Sequence, residues 1–420
     1  MGNLYSTGKR SNESEETVEN HHKKTIATTK TTNCPDALTT SSKKSSSRQI
    51  SALSLGSLRL PSNILTGRPK RKSQTSLKKS QTNWPSPISE SLFISHFKRT
   101  SRNQEFQIDS IIAEGAFGSV FKISEKKNPS QLYALKVIKK SKVIEENCVQ
   151  QIKTEVDIQK QCGHQKFLVK QFDTWQNKQN LHILSDFIPN GELFDLDFFN
   201  IQFPLYLIKL YIAEIALAID FLHNAGVIYR DLKPENILIT ENYHLKLTDF
   251  GLSKWLKFGE TTKTMCGTAQ YMAPEILRGE EYNHAVDWWS LGIIACLFFT
   301  KEYPNTKYYL QSEESQLIEK IESEYLTPID GVHADSEKWQ LTFYPKSYEI
   351  IPSEGKDLLR RLLEVNPRYR LKSVMALNRI SLYMKFNVDE KYVQDQSPLK
   401  MMEDCGVRTL NKKEAVFENF

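Results

Sequence analysis

The stretch IIAEGAFGSVFKI, residues 111–123, has the glycine spacing of a loop that binds phosphate groups. Gly115, Gly118 and Val120 fit the pattern G-x-G-x-x-G-x-V, whereas Ala113 stands where the first glycine is expected. Glycine suits such a loop because backbone N–H groups can approach a phosphate without a Cβ in the way. Short glycine patterns also recur by chance, so the loop alone does not separate a working nucleotide site from a vestige of one.

Residues that can bind phosphate groups or assist their transfer follow this loop in order along the chain. Lys136 in YALKVIK can neutralise phosphate oxygens, and Glu155 can hold its ammonium group in place. Asp231 in YRDLKPEN can orient a hydroxyl group and accept its proton, while Asn236 and Asp249, the latter in TDFGLSK, can bind Mg²⁺. With CGTAQYMAPE and DWWSLG, seven signals occur in order, and together they predict phosphoryl transfer from a nucleotide.

The segments around these motifs change from strand-like to helical along the chain. Short runs after Phe106, among them FQIDSIIAE, SVFKISEK, LYALKVIKK and LHILSDF, predict strands, and VQQIKTEVDIQKQ predicts a helix between them. From about Leu205, LYLIKLYIAEIALAIDFLHNAG predicts a long amphipathic helix that stops at Gly226. The predicted layout is a small β-rich lobe followed by a larger helical lobe.

The chain from about Phe106 to Met384 resembles the eukaryotic protein kinases, because these motifs are that family's signatures in the family's order. YRDLKPEN, Thr248 before Asp249, and MCGTAQYMAPE are similar to the AGC group of Ser/Thr kinases. YALKVIKKSKV and NGELF are close to the ribosomal protein S6 kinases and their related branch. The resemblance implies an α+β, bilobal kinase domain over residues 106–384 that uses ATP and Mg²⁺ as cofactors.

The resemblance also assigns roles to individual residues. It makes Asp231 and Lys233 catalytic and gives Asn236 and Asp249 to the metal. ATP binding falls to residues of the glycine loop, the strands and the segment between the lobes: Ala113, Glu114, Gly115, Ala116, Phe117, Gly118, Ser119, Val120, Ala134, Lys136, Glu155, Asp186, Ile188, Glu192 and Leu238.

A catalytically silent scaffold of the same fold is the main alternative. Such proteins usually lack the strand lysine, the catalytic aspartate or the metal aspartate, and this chain has all three. A lost metal ligand removes several kcal/mol of transition-state stabilisation, whereas the methyl group of Ala113 only stiffens a loop. We therefore expect an active enzyme with reduced nucleotide affinity. Ser185, at the position that gates the pocket behind adenine, should alter inhibitor binding more than catalysis.

Acidic residues near the site indicate the kind of protein substrate. The resemblance places Glu192 and Glu235, and less closely Glu319, where relatives receive arginine upstream of the target Ser or Thr. Carboxylates there can accept paired hydrogen bonds from a guanidinium group. We expect a preference for basic residues upstream of Ser or Thr. The alternative is that Glu192 and Glu235 support the ribose and the backbone.

Thr264 in TTKTMCGT matches the activation-loop threonine of the AGC group. A phosphate on it would pair with Arg230 and order the segment, which predicts an upstream activating kinase as a partner. The alternative is an ordinary exposed threonine. Asp287 and an ion pair between Glu275 and Arg370 are expected to be structural.

Residues 385–420 are expected to form a C-terminal tail that ends in Phe417-x-x-Phe420. In AGC kinases a motif of this form docks onto the small lobe of the same chain. Two hypotheses stay open for this tail, namely docking in cis and recruitment of an activating kinase in trans.

Residues 1–100 carry 17 lysines and arginines against 6 aspartates and glutamates, a net charge of +11, whereas the rest of the chain has −5. Their Ser, Thr and Lys content predicts a disordered tail, although Leu92, Phe93 and Phe97 could dock onto the neighbouring domain. The tail's charge favours an anionic surface as partner. It lacks the interleaved aromatic residues typical of nucleic-acid binding, so nucleic acid is not expected.

Gly2 and Ser6 fit the N-myristoylation pattern M-G-x-x-x-[ST]. One acyl chain binds membranes weakly, and residues 68–79, with six lysines and arginines, would supply a second signal. Scattered cysteines and the lack of a signal peptide or a long apolar run favour a reducing cytoplasmic setting. We expect a cytoplasmic protein held peripherally at a membrane, with nuclear import through the same basic cluster as the alternative.

Overall fold

The computed structural model describes residues 89–100, 102–115, 117–195, 202–305 and 343–404. The small lobe is a five-stranded antiparallel sheet in the order β1-β2-β3-β5-β4, with a short helix before it and two helices after β3. Its elements are α1 (Ser89–Phe93), β1 (Phe106–Glu114), β2 (Gly118–Glu125), β3 (Asn128–Lys139), α2 (Lys140–Glu145), α3 (Val149–Cys162), β4 (Gln171–Gln176) and β5 (Asn180–Asp186).

Strand β3 lies in the middle of this sheet and carries Lys136. The backbone of Lys136 pairs with Val120 on β2 and with Ile183 on β5. Side chains two residues apart on a strand share a face, so Lys136 and Ile138 point to the same side. Ile138 packs in a buried cluster with residues of α3, and this side of the sheet therefore directs Lys136 toward that helix.

The large lobe is built on two apolar helices, α4 (Leu205–Asn224) and α6 (Ala285–Thr300). Every residue of α6 is buried, which makes it the centre of the helical core. Helix α4 stops as predicted, because Gly226 follows it with a φ of 79°, a conformation that glycine adopts without strain. The other α-helices of the large lobe within the described residues are α5 (Pro274–Leu277), α7 (Ser353–Leu362), α8 (Val374–Leu377), α9 (Glu390–Gln394) and α10 (Pro398–Asp404).

Four short strands lie between the two lobes and hold the loops that carry the motifs. They form two antiparallel pairs, β6 with β9 and β7 with β8. Their bounds are β6 (Val227–Ile228), β7 (Ile237–Ile239), β8 (Leu245–Leu247) and β9 (Lys254–Trp255). Asn236 directly precedes β7 and Asp249 follows β8 by two residues, so this hairpin brings the two predicted metal ligands to the same end.

The folded region extends beyond both predicted domain boundaries. The sequence assigns residues 89–100 to the N-terminal tail, with Leu92, Phe93 and Phe97 as a stripe that docks onto the neighbouring domain. Phe93 and Phe97 are fully buried against the small lobe, as that docking predicts. On the other side of residue 384, Val393 and Met402 are buried in the core of the large lobe. Hydrophobic burial therefore adds both flanking segments to the kinase domain. The rest of the predicted tails, residues 1–88 and 405–420, lies outside the described residues.

A buried ion pair between Arg370 and Glu275 stabilises the large lobe, as predicted. Arg370 Nη1 lies 2.6 Å from Glu275 Oε1, and both side chains are almost completely buried. Arg370 also donates to the carbonyl oxygens of Glu364, Val365 and Ala285, so its guanidinium group is well supplied with partners. Within the described ranges, the four cysteines are free thiols, and no helix is both long and apolar enough to cross a bilayer.

Candidate active site

A short ion pair joins the sheet to helix α3. Lys136 Nζ lies 2.6 Å from Glu155 Oε1 and 3.7 Å from Asp249 Oδ1. Burial by itself lowers the pKa of Lys136, but the carboxylates of Glu155 and Asp249 outweigh burial and raise it. The lysine is therefore fully charged, and its ammonium group lies where it can meet nucleotide phosphates, beside the predicted metal ligand.

The glycine loop is a tight connection between β1 and β2. Gly115 N donates to Gly118 O at 2.8 Å, and Gly118 N donates back to Gly115 O at 3.3 Å. Gly118 is a steric requirement, because a Cβ on it would lie 1.8 Å from the carbonyl oxygen of Val137. Ala113 is ordinary paired strand opposite Val120, and Glu114 pairs with Ser119. The missing first glycine therefore leaves the hairpin intact. Ala116 lies outside the described residues.

The catalytic loop gathers four side chains into one hydrogen-bonded group. Asp231 Oδ2 accepts from Asn236 Nδ2 at 2.9 Å and lies 2.9 Å from Lys233 Nζ, while Asp231 Oδ1 accepts from Thr268 Oγ1 at 3.0 Å. Lys233 Nζ also donates to Thr268 Oγ1 at 3.0 Å. The carboxylate of Asp231 is thus fixed on both oxygens, in a cleft where only 7% of the residue is exposed.

Asp287, at the start of α6, holds the backbone of the catalytic loop in place. Its carboxylate accepts the backbone N–H groups of Tyr229 at 2.9 Å and Arg230 at 2.8 Å, and it bonds His223 Nε2 at 2.8 Å. Arg230 has a φ of 72°, an uncommon conformation for a residue with a side chain. Asp287 therefore stabilises the local geometry that presents Asp231, as the resemblance implies.

The residues predicted to hold Mg²⁺ fit that ion. Asn236 Oδ1 is buried and has no hydrogen-bond donor among the described residues, which leaves a free oxygen ligand. Asp249 follows it at the other side of the β7–β8 hairpin, with one carboxylate oxygen accepting from Gly251 N at 3.1 Å. No cluster of three or more His, Cys, Asp or Glu suited to a metal occurs in the described part of the chain. The amide oxygen of Asn236 and the carboxylate of Asp249 suit Mg²⁺, which is usually bound by one or two carboxylates together with substrate phosphates.

The predicted adenine end of the site lies where β5 leaves the sheet. Ser185 is opposite Ala134 on β3, and its hydroxyl group donates to the Ala134 carbonyl at 3.5 Å. The backbones of Glu192 and Leu238 pair in an isolated β-bridge. These two residues therefore lie at the junction of the lobes, together with half-buried Ile188. The side chain of Asp186 is engaged elsewhere, 3.0 Å from Lys246 Nζ. Its backbone N–H is engaged as well, because it donates to the carbonyl oxygen of Lys170 at 3.0 Å.

Two anchoring contacts were not predicted from the sequence. Gln151 Nε2 on α3 donates to Gly251 O at 2.8 Å, which ties the helix of Glu155 to the segment of Asp249. The hydroxyl group of Tyr229 donates to the carbonyl oxygen of Thr248 beside the same segment. A glutamine on a helix carries no motif signal, and only the fold shows that residues 100 positions apart are in contact.

Comparison with known families agrees with this geometry. Residues 106–380 match the model of the protein kinase domain. The chain belongs to the protein kinase family. It is 40% identical over 341 residues to "Ribosomal protein S6 kinase-related protein" of Homo sapiens, a match that covers 80% of this chain and 77% of that protein.

Two further relatives carry names of serine/threonine kinases or their subunits. "Serine/threonine-protein kinase AtPK2/AtPK19" of Arabidopsis thaliana is 35% identical over 270 residues, 64% of this chain and 52% of that protein. "cAMP-dependent protein kinase catalytic subunit" of Arthrobotrys oligospora is 42% identical over 191 residues, 46% of this chain and 36% of that protein. The kinase thus spans about half or less of these two relatives. The bilobal fold and the AGC-type, S6-kinase-related resemblance are confirmed, and the chain is a kinase of the serine/threonine class.

The two glycine-loop positions should respond very differently to substitution. Gly118→Ala forces a Cβ into the Val137 carbonyl, so we expect loss of most ATP-dependent activity. Ala113→Gly changes a paired strand position that has no need of glycine, so the KM for ATP should change less than about fivefold, in keeping with an effect of about 0.5–1 kcal/mol. Steady-state kinetics with varied ATP would measure both. A larger effect at Ala113 than at Gly118 would contradict this account of the loop.

Proposed function

We propose that this kinase transfers the γ-phosphoryl group of ATP to Ser or Thr in proteins that carry basic residues upstream of the target. The observation that carries the proposal is the single hydrogen-bonded group of Asp231, Lys233, Asn236 and Thr268 beside the Lys136–Glu155 ion pair. All parts that phosphoryl transfer needs are present in the chain. The alternative of a silent scaffold lacks a comparable observation in its favour.

The roles of the residues follow from their positions. Mg²⁺-bound ATP supplies the phosphoryl group and part of the charge compensation. Lys136, kept charged by Glu155, pairs with phosphate oxygens, while Asn236 and Asp249 provide oxygen ligands for the ion. Asp231 orients the substrate hydroxyl group and accepts its proton, and Lys233 stabilises the negative charge that develops beside it.

Glu235 is the residue that best supports a basic substrate. Its Oε2 is buried and meets no hydrogen-bond donor among the residues that the structure describes. Burial raises the pKa of the Glu235 carboxyl group, although a hydrogen bond from its own backbone N–H and, less strongly, the nearby Lys233 oppose that shift. An arginine of the substrate would supply hydrogen-bond donors to this oxygen and a further positive charge. The backbone of Glu192 pairs with that of Leu238, three residues after Glu235, whereas Glu319 is outside the described residues.

Substitution of this carboxylate tests the substrate preference. We expect Glu235→Gln to lower kcat/KM for a peptide with upstream arginine by roughly 10- to 100-fold, the usual range for one charged hydrogen bond. The matched peptide with alanine in that position should be nearly unaffected. Exposed Glu241→Gln serves as the control on the same lobe, and Lys136→Met gives the inactive baseline. Because Glu235 must be ionised to bind arginine, the preference should also weaken as pH falls through its raised pKa.

An equal loss with both peptides would show that Glu235 supports the backbone or the ribose instead. No turnover above the Lys136→Met baseline, in protein treated with an activating kinase, would favour the scaffold over the enzyme.

We also propose that phosphorylation of Thr264 by an upstream kinase activates the enzyme. Thr264 is exposed, and its carbonyl oxygen accepts from the hydroxyl group of Tyr282 at 2.5 Å. The guanidinium group of Arg230 reaches the same hydroxyl group at 3.4 Å and donates to Leu252 O at 2.7 Å. Arg230 adjoins Asp231, so a phosphate that pairs with this guanidinium would order the activation segment next to the catalytic residue.

Thr264→Ala should abolish the increase in activity that follows treatment with an activating kinase of the AGC type. Thr261→Ala is the matched control, because Thr261 is an exposed threonine in the same loop that bonds Glu281 instead. Peptide phosphorylation before and after treatment measures the effect, with mass spectrometry to locate the phosphate. Full activation of the Thr264→Ala protein would overturn the proposal and leave Thr264 an ordinary loop residue.

We further propose that the N-terminal tail tethers the kinase to an anionic membrane through N-myristoyl on Gly2 and the basic cluster at residues 68–79. The support comes from the sequence, because both features lie outside the described residues. A single acyl chain binds with an association constant of only about 10⁴ M⁻¹. Each lysine or arginine near an anionic leaflet adds about 1 kcal/mol, so the two signals together would hold the protein at the surface.

Cell fractionation of wild type against Gly2→Ala tests the tether. We expect the variant to move from the membrane pellet to the soluble fraction, and a variant with the six basic residues of 68–79 neutralised to do the same. Retention of Gly2→Ala in the pellet would exclude the lipid anchor. Accumulation of Gly2→Ala in the nucleus, reversed by neutralising the basic cluster, would assign that cluster to nuclear import.

A further inference from the structure

Residues 89–98, here called the strap, lie across the small lobe on the side of helix α3. Phe93 and Phe97 have no exposed surface, and their rings meet edge to face with centroids 6.1 Å apart. They fill the space between α2, α3 and the sheet. Their buried neighbours are Ile138, Val143, Ile152, Val156, Leu181 and Ile183.

Hydrogen bonds fasten the strap on both sides of these rings. On the sheet side, Thr174 Oγ1 donates to His96 O at 2.6 Å and Gln176 Nε2 donates to Phe97 O at 2.8 Å. Lys98 extends the sheet, because Gln176 N donates to Lys98 O at 2.8 Å and Lys98 N donates to Thr174 O at 3.3 Å. On the helix side, His96 Nε2 lies 2.9 Å from Asp157 Oδ2 on α3. The strap therefore links edge strand β4 to α3.

Helix α3 carries Glu155, and the strap contacts the residues on either side of it. Ile152 lies one turn before Glu155 and Val156 directly follows it, and both pack in the cluster of Phe93 and Phe97. Phe117 of the glycine loop packs against the same cluster. Movement of α3 away from the sheet would break the 2.6 Å contact between Lys136 and Glu155. The strap rings fill the space that such a movement would open.

We propose that the strap is a built-in activating segment, in which Phe93 and Phe97 are positioning residues for the Lys136–Glu155 pair. They act by packing α3 onto the sheet and do not contact the reacting atoms. The kinase thus supplies, from its own N-terminal flank, the apolar contact that holds this helix in the active arrangement. The strap also joins the tail of residues 1–88 directly to α3.

The test is the activity of full-length Phe93→Ala/Phe97→Ala protein with and without a synthetic peptide of residues 89–100. We expect kcat to fall by roughly 5- to 100-fold, the usual range for coupling between two sites, and the peptide to restore it in a saturable manner. The same peptide with alanine at both phenylalanines should not restore activity. Ile94→Ala is the matched control, because Ile94 lies between the two rings but is 52% exposed, and it should keep wild-type kcat.

Rescue by the peptide separates positioning from a general loss of stability. Phe386→Ala removes a buried ring of the large lobe, and the peptide should not raise its activity. If the double alanine variant does not fold, Phe97→Leu takes its place, with a smaller loss of kcat that the peptide again reverses. Wild-type kcat in a folded variant without the two rings, or peptide binding without any gain in activity, would overturn the proposal.

A deletion of residues 417–420 distinguishes the strap from the C-terminal Phe-x-x-Phe. We expect Phe93→Ala/Phe97→Ala to lower kcat by the same factor in the deleted and the full-length chain. If deletion alone lowers kcat as much and the strap substitutions then add nothing, the C-terminal phenylalanines hold α3 and the strap does not.

Discussion

The ion pair between Lys136 on β3 and Glu155 on α3 is the contact around which the small lobe is arranged. Two charges removed from water are stable only with close geometry and complete partners, and loss of one partner from a buried pair costs about 3–5 kcal/mol. The sheet register, the packing of α3 and the tie from Gln151 to Gly251 all meet this condition. The same pair holds a charged ammonium group beside Asp249, so a structural requirement and a catalytic one coincide.

The large lobe satisfies a similar condition with two other buried carboxylates. Asp287 accepts two backbone N–H groups and bonds an imidazole, and Glu275 faces a guanidinium group that has further carbonyl partners. Asp287 fixes the catalytic loop, which lacks regular secondary structure, and Glu275 fixes the short helix α5 that follows the activation segment. Ionic groups with full sets of partners thus supply the rigidity that helices and strands supply elsewhere.

Residues around this core are the ones that we propose to control substrate choice, activation and membrane attachment. Glu235 has a buried carboxylate oxygen that meets no donor among the described residues, and exposed Thr264 shares the hydroxyl group of Tyr282 with Arg230. The strap connects the small lobe to the basic tail. A signal that acts on the tail or on the activation segment therefore has a short physical route to α3 or to Asp231.

The sequence by itself determined the chemistry, because motifs such as YRDLKPEN and TDFGLSK place oxygen ligands, a base and a cation at short spacings along the chain. It also predicted the strands, α3, α4 and the Glu275–Arg370 pair, since these follow from periodicity and from a family resemblance. Only the tertiary structure decided where the folded region ends, that the side chain of Asp186 binds Lys246, and which buried cluster receives Phe93 and Phe97. These contacts join residues dozens of positions apart and leave no local pattern, so only the folding of the chain brings them together.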